Sequence, residues 1–235
     1  MMQFLTVLGF FLISLPIASQ VPTGIELLDK AIAYHDPNSN WEKFDGTFTV
    51  TMESPKRATR TSKISLDLPQ SFFKMTVLMD ENQWSTTLNN EDCELQFNNS
   101  DVIPPEIEEK YRLNCDTARM YRNYYTYLYG LPMKLKDKGT LIDQTVTEKT
   151  IEKTTYWVLK VTYDPDVGSD TWYFYFDQNT FAMKRYQFFH DETKNDGEYI
   201  VLEDELELSG MRIPKNRSWY YNTDKTYLGT DILTN

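Results

Sequence analysis

Apolar and polar residues alternate with a period of two along most of the chain, and this alternation predicts antiparallel strands with one buried face. In the clearest run, Phe48, Val50 and Met52 lie on one side and three threonines on the other. Polar turn clusters separate the runs, so neighbouring runs are expected to pair as hairpins. The predicted strands are 47–53, 57–68, 72–79, 84–88 and 94–97, then 156–163, 171–176, 181–189, 198–208, 211–213 and 218–221.

Two segments follow the helical period instead. Residues 21–34 are predicted to form one amphipathic helix. Residues 111–139 are dense in aromatic side chains, and Tyr121, Tyr125 and Tyr129 recur there at every fourth position. A helix that is apolar and aromatic around more than half its circumference is expected either to be buried between layers or to cover a hollow.

The order of the elements predicts an α+β domain, with a helix, five strands, a helical insertion and about six further strands. A large antiparallel sheet of about 11 strands is expected to curl. A helix across the open side of a curled sheet then makes a pocket. The sequence contains no internal repeat or linker, so residues 20–235 are expected to form a single domain.

The first 19 residues have the pattern of a secretory signal peptide. They contain no charged side chain, an apolar run from Phe4 to Ile13, and the small residues Ala18 and Ser19 before the predicted cleavage site. The run is short for a membrane span, and no later segment approaches spanning length. We therefore expect an exported protein, periplasmic or extracellular, without a transmembrane segment after cleavage. Its net charge of −11 makes nucleic acid a poor partner.

Cys93 and Cys115 are the only cysteines of the chain. Because an exported protein enters an oxidising compartment, we expect them to form a disulfide. By the chain-entropy estimate, closing this loop with a disulfide would raise the free energy of unfolding by roughly 3 kcal/mol. The alternative is two free buried thiols, since the sequence does not show that the two Cβ atoms meet.

The order of helix, meander, helical insertion and long returning strands resembles the LolA/LolB lipoprotein-carrier superfamily. Members of that superfamily are incomplete β-barrels whose open side is covered by helices, and the resemblance implies one half-barrel domain with a hydrophobic cavity. It also implies the partner, which would be a hydrophobic small molecule, a lipid or a lipoprotein acyl chain. The chain further looks like an uncharacterised family of exported bacterial envelope proteins at residues 33–37 (AYHDP), 125–136 (YTYLYGLPMKLK), 170–176 (DTWYFYF), 196–200 (DGEYI) and 229–233 (GTDIL).

The wealth of aromatic residues has two interpretations. In one, the rings fill a solid core, and the protein is a structural or interaction module. In the other, which we favour, the sheet and the Tyr-rich helix enclose a ligand in a non-enzymatic binding protein, and flexible methionines form an adaptable wall. The predicted lining consists of Phe48, Val50, Met52, Phe73, Met75, Val77, Trp84, Tyr121, Tyr124, Tyr125, Tyr127, Leu128, Leu131, Trp172 and Phe174.

Signals for catalysis are weak. The sequence contains no G-x-S-x-G motif, P-loop or dinucleotide-binding fingerprint. His35 and His190 each precede an acidic residue, and together with Asp170 or Asp231 they would suit Zn²⁺, but their spacing matches no known ligand signature. Both histidines are expected at turns or strand ends. We therefore assign no catalytic residue, metal or cofactor, and a hydrolase that uses His35 or His190 is the weaker alternative.

Overall fold

The computed structural model describes residues 21–235, so the predicted signal peptide at 1–19 lies outside the described residues. Three α-helices are present in that range: α1 (Gly24–His35), α2 (Pro105–Tyr111) and α3 (Cys115–Tyr129). The strands are β1 (Asp45–Ser54), β2 (Arg57–Asp67), β3 (Phe72–Met79), β4 (Asn82–Asn89), β5 (Asp92–Phe97), β6 (Thr140–Ile142), β7 (Thr147–Ile151), β8 (Thr154–Tyr163), β9 (Thr171–Asp177), β10 (Met183–Phe189), β11 (Glu198–Leu208), β12 (Met211–Tyr221) and β13 (Tyr227–Thr234).

All 13 strands form one antiparallel sheet in the order β5-β4-β3-β2-β1-β13-β12-β11-β10-β9-β8-β6, and β7 also pairs with β8. Strands β1–β5 form one meander and strands β8–β13 form another. Strand β13 pairs with β1 and so joins the two meanders into a single sheet. A sheet of this width curls because every strand is twisted relative to its neighbour. The sheet remains open rather than closing into a barrel, which confirms the predicted α+β fold with a large curled antiparallel sheet.

The strand pattern differs from the prediction in two places. The sheet has 13 strands rather than about 11, because β6, β7 and β13 were not predicted. The runs 211–213 and 218–221 are parts of one strand, β12, which passes through Pro214. Strand β13 pairs with β12 only from Asn216 onward, so β12 has a neighbour on one side alone at Pro214. An edge position of this kind tolerates a residue without an N–H group.

Helix α1 packs against β8 and β12. It begins with a capping box, in which the Thr23 hydroxyl accepts a hydrogen bond from the Glu26 N–H and the Glu26 carboxylate accepts one from the Thr23 N–H. Its buried face includes Leu27 and Leu28. The helix ends at His35, beside the turn where β11 joins β12.

Helix α3 lies across the concave face. The predicted helical segment 111–139 is divided in the structure, because Arg112 adopts a left-handed conformation and Asn114 caps a new helix, accepting a hydrogen bond from Thr117 N at 2.8 Å. The disulfide between Cys93 and Cys115 is present and joins the first turn of α3 to the edge strand β5.

No helix within residues 21–235 is both long and apolar enough to cross a membrane.

Candidate functional site

The middle of the space between α3 and the sheet is filled with side chains. Tyr125 and Leu128 on the inner side of α3 are 1% and 3% exposed. The ring of Tyr129 packs on that of Phe48 from β1, with 4.9 Å between the ring centroids. Both meanders take part, since Tyr127 contacts Trp172 on β9. Helix α3 is therefore a packed layer of the core.

One open cleft, which we call the mouth cleft, lies where the end of β1 meets the start of β13. The strands β1, β2, β11, β12 and β13 are neighbours and antiparallel, so the ends that line the cleft converge at one end of the sheet. Helix α3 contributes Tyr124 to the wall. The volume is about 450 Å³, and the lining residues are Met52, Ser54, Pro55, Lys56, Arg57, Tyr124, Glu198, Trp219, Tyr221, Tyr227, Leu228, Gly229 and Asp231.

A second cleft, the base cleft, lies at the opposite end of β2 and has a volume of about 470 Å³. The turn between β2 and β3 forms one wall and the outer side of α3 forms the other. Two of its lining residues, Lys134 and Asp137, form an ion pair. The lining residues are Leu66, Asp67, Leu68, Ser71, Phe72, Arg122, Asn123, Thr126, Tyr127, Lys134 and Asp137.

The predicted lining residues divide between these clefts and the filled core. Met52 and Tyr124 line the mouth cleft, and Tyr127 lines the base cleft. Tyr121 and Trp172 are half-buried and pack against the core. The others are buried core residues: Phe48, Val50, Phe73, Met75, Val77, Trp84, Tyr125, Leu128, Leu131 and Phe174. A ligand-binding role for any of them stays a prediction.

A row of polar side chains crosses the concave face beneath α3. Arg60 on β2 is opposite Met52 on β1, Met52 is opposite Asp231 on β13, and Asp231 is opposite Arg217 on β12. Arg217 is 1% exposed and donates hydrogen bonds to the Pro214 carbonyl at 2.7 Å and to a carbonyl of α3 at 3.4 Å. The row therefore contains the buried guanidinium group of Arg217, the half-buried one of Arg60 and the buried carboxylate of Asp231.

Asp231 lies at the floor of the mouth cleft and is 5% exposed. Its Oδ2 accepts hydrogen bonds from Trp219 Nε1 at 3.2 Å and from the Tyr124 hydroxyl at 3.5 Å. Burial raises the pKa of Asp231 above its ordinary value, while the positive charges of Arg217 and Arg60 act in the opposite direction. The hydrogen bonds fix the orientation of the carboxylate relative to the aromatic wall.

Charges of both signs surround the cleft. Glu198, at the start of β11, is half-buried, and burial raises the pKa of its carboxyl group. Lys56, in the turn between β1 and β2, and Arg57, the first residue of β2, are both exposed. The cleft lining thus carries two carboxylates and several aromatic rings, with lysine and arginine at its exposed rim.

The two histidines lie apart from the mouth cleft lining. His35 is not at a turn or strand end but is the last residue of α1, fully buried and bonded through both ring nitrogens to backbone atoms. His190 follows β10 and pairs with Asp170 at 2.8 Å on the surface. Within residues 21–235, no three His, Cys, Asp or Glu side chains are arranged to hold a metal ion.

Several residues of the mouth cleft were missed in the sequence analysis, above all Trp219, Glu198 and Tyr227. These residues lie close together because β13 pairs with β1 and because of the register between β12 and β13. Both pairings connect parts of the chain that are far apart in sequence. One signal was available, because Asp231 interrupts an otherwise apolar strand face that includes Leu233. An acidic residue on a buried strand face is uncommon and indicates a functional position.

Comparisons with known proteins agree with this fold. The model of a family described as a family of unknown function, DUF6503, matches residues 2–235. A LolA superfamily protein from Nitrosomonas europaea is similar in structure, with a TM-score of 0.53, 13% identity, and coverage of 91% of this chain and 92% of that chain. A DUF1329 family protein from Desulfovibrio piger gives a TM-score of 0.51 at 8% identity, with the same two coverages of 91% and 92%. No curated protein matches the chain.

Proposed function

Since the chain belongs to DUF6503, a family of unknown function, we propose a role from its fold and its clefts. The protein is an exported, non-enzymatic binding protein that holds an acyl chain or another hydrophobic ligand between the curled sheet and the Tyr-rich helix α3. In this role it acts as a carrier of lipids or lipoproteins in the cell envelope. The observation that carries the proposal is the mouth cleft, which lies at the end of the sheet between α3 and the strands.

The size and the walls of the mouth cleft support this role. Its volume of about 450 Å³ falls within the range of roughly 300–1,000 Å³ that is usual for small-molecule sites. Met52, Tyr124 and Trp219 supply apolar surface, and the Met52 side chain adapts to irregular guests because it is unbranched and flexible. The cleft is open at the surface, so a chain-like ligand has a route of entry.

The fold supports the same role by analogy. A LolA superfamily protein has a similar architecture over more than nine-tenths of both chains. At 13% identity this likeness concerns the fold alone. The carrier superfamily that the sequence resembles binds acyl chains inside a half-barrel, and the proposal transfers that activity to the mouth cleft.

The packed centre favours a second candidate function. Tyr125, Leu128 and Tyr129 occupy the space under α3 where a long apolar ligand would otherwise lie. Under this alternative the protein is a structural or interaction module with a solid aromatic core. The two candidates differ in whether the purified protein takes up hydrophobic ligands.

Ligand uptake is tested with a fluorescent fatty acid titrated into the purified protein and with mass spectrometry of lipids that copurify with it. Ser54 lies in the wall of the mouth cleft, so Ser54→Trp fills part of the cleft. We expect this variant to bind the probe at least about tenfold more weakly, a loss of about 1.4 kcal/mol.

The matched control is Thr47→Trp, because Thr47 is exposed on the opposite face of the same strand. It should bind as the wild type does. Absence of both saturable uptake and copurifying lipid would remove the carrier proposal in favour of the solid module. Equal loss of binding in the two tryptophan variants would place the ligand elsewhere.

A further inference from the structure

The inner part of the mouth cleft holds an acidic group without a cationic partner. Asp231 is 5% exposed, yet among the described residues no lysine, arginine or histidine forms an ion pair with it. Both of its hydrogen bonds, from Trp219 and Tyr124, go to Oδ2, and within residues 21–235 Oδ1 accepts none. A buried carboxylate with a free oxygen in an open cleft is costly unless something completes it.

The two nearest guanidinium groups are directed elsewhere. Arg217 is the cross-strand neighbour of Asp231, but its Nη atoms donate to the backbone carbonyls of Pro214 and Leu128. Arg60 donates to the Tyr121 hydroxyl. Burial raises the pKa of Asp231, and the charges of the two arginines oppose that shift without occupying its free oxygen. The free oxygen is thus left without a hydrogen-bond partner among the described residues.

The walls around this carboxylate are suited to a cation. The Trp219 and Tyr124 rings are stacked with 6.4 Å between their centroids, and both meet at the same carboxylate oxygen. Aromatic faces attract organic cations, and the attraction is stronger where water is excluded. Glu198 adds a second carboxylate to the lining and has no ion-pair partner among the described residues.

We propose that the mouth cleft binds an amphiphile through a protonated primary amine, which donates a hydrogen bond to Asp231 Oδ1 beside the rings of Trp219 and Tyr124. The apolar part of the ligand lies along Met52 toward the opening. This inference rests on the proposed function and names the chemistry of the ligand's polar end. Lys56 and Arg57 are exposed at the rim of the cleft, where water and salt screen their charges. They therefore repel an ammonium group at the inner end of the cleft only weakly.

The charge preference of the site is tested by calorimetric titration at neutral pH with three probes of equal chain length. The probes are octylammonium, which is positively charged, octanol, which is neutral, and octanoate, which is negatively charged. We expect octylammonium to bind wild-type protein at least about tenfold more tightly than octanol, and octanoate to bind most weakly. Asp231→Asn keeps the size of the side chain and removes its charge. It should remove the preference of the cleft for octylammonium over octanol.

Asp116→Asn is the matched control, since the Asp116 side chain is 97% exposed at the start of α3, and it should bind all three probes as the wild type does. If Asp231→Asn does not fold, as judged by circular dichroism, Glu198→Gln takes its place and should weaken octylammonium alone by about threefold. The comparison of the three probes on wild-type protein decides the question even without a variant.

The outcomes separate the inference from the proposed function. Octanol and octylammonium binding equally would overturn the amine site while leaving a hydrophobic cleft. Failure of all three probes and of the fluorescent fatty acid would overturn both. Ethanolamine binding as tightly as octylammonium would show a site for a free amine and would overturn the assignment to an amphiphile.

Discussion

His35 makes the stability of the protein depend on pH in a way that can be measured. It is fully buried, its Nδ1 donates to the Arg212 carbonyl at 2.6 Å, and its Nε2 accepts from the Met183 N–H at 2.9 Å. This arrangement requires the neutral ring, because a protonated Nε2 no longer accepts. Burial is the main reason that the pKa of His35 is lowered, and the charges of Lys184 and Arg212 act in the same direction, while the Arg212 carbonyl and Glu205 oppose them.

The sign of the effect follows from proton binding. In the unfolded chain the pKa of His35 is near its ordinary value of about 6.5. Because the folded value is lower, the unfolded chain binds more protons between the two values, and the free energy of unfolding falls as the pH drops below about 6.5. Between pH 7.5 and pH 5.5 a single such histidine removes up to about 1.4 kcal/mol.

Urea denaturation of the wild type and His35→Gln at pH 7.5, 6.5 and 5.5 measures this effect. At pH 7.5 the variant should be less stable by about 1–3 kcal/mol, since one of the two backbone partners loses its hydrogen bond. The difference between wild type and variant should then shrink toward pH 5.5 by up to about 1.4 kcal/mol.

His190→Gln is the control for the opposite sign. The hydrogen bond to Asp170 raises the pKa of the exposed His190, so any stability that this residue contributes is present at low pH and lost as the pH rises through its folded value. The gap between wild type and His190→Gln should therefore widen as the pH falls. A gap for His35→Gln that is constant with pH, or that widens toward pH 5.5, would refute the reasoning.

Two further predictions concern the disulfide and a turn. Replacing Cys93 and Cys115 together by serine should lower the free energy of unfolding by about 3 kcal/mol, because the disulfide closes a loop of 22 residues; equal urea midpoints for the variant and the oxidised wild type would contradict this. Gly197→Ala should cost about 1–3 kcal/mol, because Gly197 has a φ of +83° and an added Cβ would lie 2.2 Å from the Phe188 carbonyl oxygen. The control Gly168→Ala should leave the melting temperature nearly unchanged, since its Cβ would meet no atom nearer than 3.7 Å.

The strands that could be predicted from sequence are those with one buried face. Residues 72–79 coincide with β3, where Phe73, Met75 and Val77 are buried in alternation. Strand β7 was missed because its first four residues, TEKT, are all exposed, so no apolar period marks it. It is held by backbone pairing to β8 along an edge of the sheet, and such pairing leaves no trace in side-chain hydrophobicity.

The candidate site was less predictable than the fold. The Tyr-rich helix was recognised, and Tyr124 does reach the mouth cleft. The prediction that its rings share an interior with the sheet also agrees with the burial of Tyr125 and Tyr129. The periodicity did not show which part of that interior is filled. Which part is filled depends on how the side chains of several strands pack together in three dimensions. The order of apolar and polar residues along the chain does not contain that information.

Arg217 and Arg60 explain why the space directly beneath α3 is filled rather than open. Arg217 donates to the Leu128 carbonyl of α3 and lies over the Tyr129 ring, with Cζ 3.9 Å from the ring centroid. Arg60 donates to the Tyr121 hydroxyl at 3.2 Å. Lifting the middle of α3 would break these contacts while two guanidinium groups remained beneath it, and a buried charge that loses its partners is strongly destabilising. An apolar guest in the centre would face those same charges, whereas one in the mouth cleft contacts Met52 and the aromatic wall and leaves the contacts intact.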